Sequence, residues 1–137
     1  MPIEYSIDHA RRLVVARGQG VFTDSDVFGY QLDVGSRPDV AGYDELIDMT
    51  AVEHIALPSI GRIRQLAELG VKMDSGSSPT KFAIVAPDNI AFGLGHIYKA
   101  YRSLDKRSMK KVGVFRSLAE AYTFLGIEEA LRDQDAA

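Results

Sequence analysis

The chain has no cysteine. Disulfides, thiolate-held metals and a cysteine nucleophile are therefore excluded, and a cytoplasmic location is the expectation. No apolar run approaches the ~18 residues of a membrane-spanning helix. The opening MPIEYSIDHARR carries no apolar stretch of about 7–15 residues, so no secretory signal is expected. Phosphate-binding and nucleophile motifs are missing too. There is no Gly-Lys-Ser/Thr phosphate loop and no Gly-x-Ser-x-Gly elbow. Gly18-Gln19-Gly20 lacks the third glycine that would open a dinucleotide-binding helix. His9, His54 and His96 lie far apart and form no His-x-x-x-His pair, so neither a metal nor a cofactor is expected. The net charge of −3 is too mild for bulk nucleic-acid binding.

What is present describes an ordinary globular domain. The 137 residues are 46% hydrophobic and 26% charged, enough for one core without staples. The expected domain is 1–131, followed by a frayed polar tail at 132–137. Charge is uneven: residues 24–53 carry eight acids against Arg37 alone, and residues 99–116 carry seven bases against Asp105 alone. Two solvated faces account for this; a basic patch for an anionic partner is the alternative.

The hydrophobic pattern alternates between strand and helix periods. Ile3, Tyr5 and Ile7 alternate with polar neighbours, and Leu13–Val21 follows after a short turn, so these strands pair as antiparallel neighbours. Gly18 and Gly20 predict a bulge or bend. Thr23 caps a helix with Asp24 and Asp26 in its first turn and an apolar side of Val27, Phe28, Leu32 and Val34. Gly35-Ser36-Arg37-Pro38 stops it. Glu45–Met49 reads as the third strand, with a loop to Pro58. Ile60, Ile63, Leu66, Ala67 and Leu69 give the second helix its buried stripe. A flexible Gly76-Ser77-Ser78-Pro79 loop leads to Lys81–Ala86, a nearly continuous apolar strand suited to a position covered on both faces. Pro87-Asp88-Asn89 opens a third helix with Ile90, Leu94, Ile97, Tyr98, Tyr101 and Leu104 at helical spacing. Gly93 and Gly95 inside it imply a close approach or a groove. Val112–Phe115 is the last strand. Ser117 and Glu120 form a capping box, and Gly126 suits the end of the fourth helix. The expected fold is α/β: one mixed, mostly parallel five-stranded sheet with four helices, in the order β-β-α-β-α-β-α-β-α.

This order, and the segment Ile47-Asp48-Met49-Thr50-Ala51-Val52-Glu53-His54-Ile55 leading to Ser59-Ile60-Gly61, resemble the STAS domain of anti-sigma-factor antagonists, and within it the SpoIIAA-like (STAS/SEC14) group of small bacterial proteins. Arg116–Ala121 through Leu125-Gly126 is similar to the last strand and helix of that group. The resemblance covers about residues 1–130. It implies a regulatory, protein-binding domain in which a serine ahead of the second helix is switched by phosphorylation. Pro58 stands at that serine's position and cannot accept phosphate. Ser59, one residue on, is the remaining candidate, and it is equally a plain first-turn residue.

Three functions follow. The first is a non-catalytic regulatory or binding domain whose surface combines Thr50, His54, Leu57, Pro58 and Ser59 with Asp88, Asn89, Phe92 and His96. These segments follow strands expected to be adjacent and parallel, so they should share one edge of the sheet. The second is a carrier of a small apolar or amphipathic ligand, with a pocket beneath the third helix near Phe92, Tyr98 and Tyr101. The third is an enzyme holding a small anionic substrate at the helix starts around Ser59 and Asn89; no nucleophile or acid–base pair supports it. Asp48 and Glu53 are more simply read as solvating loop N–H groups. A protein partner, a small apolar ligand and a homodimer all remain open.

Overall fold

The computed structural model describes residues 3–56, 59–73 and 79–127. Leu57, Pro58, the Gly76-Ser77-Ser78 segment and the 132–137 tail lie outside the described residues. The alternating pattern at the start forms β1 (Ile3–Asp8), which runs antiparallel to β2 (Leu13–Phe22), with Ile3 opposite Gly18 and Asp8 opposite Leu13. From there every strand feeds a helix. The order is α1 (Asp24–Gly35), β3 (Asp44–Ile55), α2 (Ile60–Met73), β4 (Thr80–Val85), α3 (Asn89–Leu104), β5 (Lys110–Phe115) and α4 (Leu118–Leu125). A single 3₁₀ turn, Pro38–Val40, follows the stop signal after α1.

In the sheet the strands lie in chain order, β1-β2-β3-β4-β5, and every pair after the first is parallel. Each crossover therefore moves one strand further in the same direction. Right-handed connections then put α1, α2 and α3 on one face, while α4 packs against the other side of β3, β4 and β5. The strands alternate accordingly. Phe82, Ile84 and Ile47 join Leu66 and Tyr98 beneath the three helices. Ala83, Val85 and Leu46 pack with Tyr122 and Leu125 of α4. With both faces covered, Phe82–Ala86 is an unbroken buried run, as the sequence predicts. The caps also form as expected. Thr23 and Asp26 make a reciprocal box at α1, Ser117 Oγ accepts from the Glu120 N–H, and Gly126 ends α4 in a left-handed conformation.

Three expectations need correction. First, β3 does not end at Met49 but continues to Ile55, so Thr50–His54 is strand and not loop. The reason is β2, which runs on beside it: Gln19 pairs with Ala51 and Phe22 with Ile55, through register shifts at Arg17/Gln19 and Gly20/Val21. Gly20, at a φ of +60°, supplies the left-handed residue this bulged stretch requires. Since β4 stops opposite Asp48, the far halves of β2 and β3 form a two-stranded arm beyond the rest of the sheet.

Second, some residues expected in the buried stripes face solvent. In α3, Ala91, Gly95, Tyr98 and Arg102 are buried and Leu94, Ile97 and Tyr101 pack half-buried against the core, while Ile90 and Leu104 are exposed. Gly95 sits at the centre of the inward face. A methyl there would stand 3.0 Å from Val114 Cγ1, so the helix lies too close to β5 for a larger residue to face it. In α2 the stripe is Ile63, Leu66, Ala67, Gly70 and Val71, and Ile60 points to solvent. In α1, Tyr30 and Val34 are buried and Leu32 is exposed.

Third, the 99–116 bases are not one solvated face. Arg102 is 1% exposed, and the Lys110 ammonium sits 3.1 Å from Glu45, with both side chains largely covered.

Candidate functional site

The carboxyl ends of the parallel strands deliver four helix starts to one rim of the sheet. Each start is closed by its own chain. At α3, Asp88 Oδ2 accepts from the Ile90 N–H (2.9 Å) and the Ala91 N–H (3.1 Å). A carboxylate thus already occupies the position an anion would take at that helix end. At α2, Ser59 Oγ accepts from the Arg62 N–H at 3.2 Å.

The two halves of the predicted surface turn toward different neighbours. Arg62 Nε donates to Asp24 Oδ2 at 2.6 Å, and its guanidinium lies 4.2 Å from the Phe28 ring centroid, so the Ser59 corner leans on the start of α1. The hydrogen bond from Arg62 holds the Asp24 carboxyl below the usual carboxylate range. Asn89 faces the other way. Its Oδ1 accepts from Arg116 Nη1 at 2.6 Å, and the same nitrogen donates to the Pro87 carbonyl at 3.0 Å. Arg116 also lies over Phe92, whose ring meets that of His96 edge-on at 4.6 Å. Exposed Asp88, Asn89 and His96 and half-buried Phe92 therefore form one row, which Arg116 completes.

Thr50 and His54 stand exposed on the arm. The Thr50 N–H donates to Asp48 Oδ1 at 2.9 Å, the backbone-solvating role expected of Asp48. Leu57 and Pro58 lie outside the described residues. Arg116 could have been found from sequence, since it directly follows a parallel strand and must reach the same rim. Arg62 and Asp24 could not, because their contact joins two helices 38 residues apart.

Beneath this rim lies a cavity of about 110 Å³ between α1, α2, α3 and the sheet. Ile47, Met49, Ile63, Leu66, Ile84 and Leu94 supply much of its wall. Apart from Thr23, Asp24, Gln31 and Gly95, its lining is aliphatic or aromatic. Ala56, at the end of the arm, and Ala91, in the first turn of α3, both border it, so the two corners meet across this space. Tyr98 is part of the wall, as the pocket expected beneath α3 requires; Phe92 and Tyr101 are not. Among the described residues no group of three His, Asp or Glu side chains is placed to hold a metal ion. No described helix is long and apolar enough to cross a membrane.

No family model and no curated protein matches the chain. Among solved structures it is similar to an uncharacterised protein of the DUF3478 family with a SpoIIAA-like fold, from Shewanella loihica PV-4. The TM-score is 0.54 at 14% identity, covering 90% of this chain and 93% of that one. At this identity the likeness carries the fold alone. The architecture is SpoIIAA-like, in agreement with the fold that the resemblance at residues 47–61 and 116–126 implies.

Proposed function

We propose that the domain is a non-catalytic binding module that seats a small apolar group in the cavity between its three same-face helices and the sheet. The observation that carries this reading is the cavity itself, a space with almost no polar lining that the surrounding side chains do not fill. Protein interiors are otherwise close-packed, and an apolar cavity of about 150 Å³ can take a benzene-sized guest. At about 110 Å³ the space suits one small apolar molecule or the apolar end of an amphipathic one, not a whole lipid chain.

Methyl-detected NMR of the intact protein with added benzene tests the reading. Saturable shifts at Ile47, Ile63, Leu66 and Ile84 are expected, and Ala91→Leu should fill the space and abolish them in a protein that still melts cooperatively. Absence of saturation, or identical shifts in the folded variant, overturns it.

A second reading, a phospho-regulated partner surface, is favoured by one contact. Ser59 Oγ and Asp24 address the same arginine, Arg62, through its backbone N–H and its side chain. A phosphate on Ser59 would bring about −1.5 to −2 charge into competition with Asp24 for that guanidinium. Ser59→Glu should then shift the Arg62 Nε–H resonance and alter any complex the protein copurifies with. An unchanged resonance removes this reading.

A further inference from the structure

A second cavity, of about 430 Å³, opens at the opposite end of the sheet, where β3, β4 and β5 begin and α1, α2 and α3 end. Its size falls within the ~300–1,000 Å³ of small-molecule sites. Tyr30, Gln31, Phe82 and Tyr98 line both cavities and so form the partition between them. Its wall carries four cations, Arg12, Arg37, Arg102 and Lys110, against one carboxylate, Glu45. With Glu45, three helix ends of about half a negative charge each bring the negative side to about two and a half, still short of the four positive charges.

The cations are not equivalent. Lys110 is held by Glu45 at 3.1 Å, and Arg37 grips Asp39 through two N–H groups at 3.0 and 2.8 Å. Arg102 donates to Ser108 Oγ at 3.1 Å and to the Tyr98 hydroxyl at 3.4 Å. It reaches the cavity across α2 only because residue 70 is glycine; a methyl there would overlap the guanidinium. Arg12 stands at the turn between β1 and β2, 5.0 Å from the Tyr43 ring centroid, and has no carboxylate partner among the described residues.

Two neutral groups complete the wall. The Tyr30 hydroxyl, 3.5 Å from Glu45 Oε2, is kept protonated by burial first and by that carboxylate second. Gln31 Oε1 is a buried acceptor with no hydrogen-bond partner among the described residues. That oxygen has no surface open to the cavity, so a ligand there meets other atoms of the Gln31 side chain.

We propose that this cavity binds a small organic acid, with its carboxylate at Arg12 and its apolar body along Val34, Val40 and Tyr43. The site is separate from the apolar cavity and does not require that one to be occupied.

Titration of the intact protein with benzoate at low salt, followed by calorimetry and amide NMR, tests this, with phenol as the control. Benzoate should bind saturably, with shifts at Tyr43 and Lys110. Phenol, which lacks the carboxylate, should bind roughly tenfold or more weakly. Arg12→Gln lies in an exposed turn. It should weaken benzoate about tenfold, leave phenol unchanged and leave the melting temperature close to that of the parent. No saturable binding of benzoate, equal binding of the two probes, or an Arg12→Gln variant with parent affinity overturns the proposal. Loss of the benzene signals alone would overturn only the apolar-cavity reading.

Discussion

The Arg116 guanidinium lies 3.9 Å from the Phe92 ring centroid while its Nη1 donates to Asn89 Oδ1 at 2.6 Å. One side chain thus fastens the end of β5 to the first turn of α3. The planar guanidinium makes both contacts at once, which an ammonium does poorly. Arg116→Ala should cost about 1 kcal/mol, the scale of an exposed cation–π contact plus a surface hydrogen bond. Arg116→Lys should recover little of it. Urea denaturation of the three proteins decides this, and full rescue by lysine would show that charge alone matters.

The two glycines of α3 predict opposite substitution outcomes. A methyl at Gly93 meets nothing within 4 Å, so Gly93→Ala should stabilise the protein by about 0.5–1 kcal/mol through helix propensity alone. At Gly95 the same methyl would press on Val114 Cγ1, a β-branched side chain with little room to turn. Gly95→Ala should forfeit that gain and fall below the parent. Paired melting curves check both, and equal effects would contradict the close approach of α3 to β5.

Gly70→Ala should be harmful despite its better helix propensity. The added methyl must displace the Arg102 guanidinium, and a buried cation moved from its partners is expensive. A loss of about 2 kcal/mol or more is expected in chemical denaturation. The same variant should also narrow the polar cavity, so benzoate binding should fall with it.

The Asp24–Arg62 pair sets a direction for acid sensitivity. Because Arg62 lowers the folded-state pKa of Asp24, the pair contributes stability above about pH 4, the unfolded carboxylate value. That contribution is lost as pH falls through the lower, folded value. The pair is partly solvated, so its worth is at most about 1 kcal/mol and should shrink in high salt. Asp24→Asn should flatten this part of the pH–stability curve between about pH 5 and 2, measured by urea midpoints; an unchanged slope would remove the pair as its cause.

Local signals in the sequence were enough for the element order, the caps at Thr23, Ser117 and Gly126, and the buried run Phe82–Ala86. Each depends on residues close together in the chain. The arm was hidden because Thr50–His54 lacks a clear alternating pattern. What makes it strand is the company of Gln19–Phe22, some 30 residues earlier. In α3 the spacing of Leu94, Ile97, Tyr98 and Tyr101 marked residues that pack on the core, but Ile90 and Leu104 misled, because they outweigh small Ala91 and Gly95 by hydrophobicity while fit against Val114 decides which side faces inward. Expectation also settled on the carboxyl ends of the strands. The larger cavity lies at their amino ends, assembled from Arg12, Gln31, Arg102 and Lys110. No spacing rule connects those positions, and Arg102 and Lys110 had the look of solvent-facing bases.

Placing the strands side by side in chain order has a consequence for how the molecule is made. Each new strand can dock on the one synthesised just before it, so no segment must wait for a distant partner to emerge from the ribosome. Such vectorial growth keeps loop closures short and limits the time any strand edge is left open to other chains.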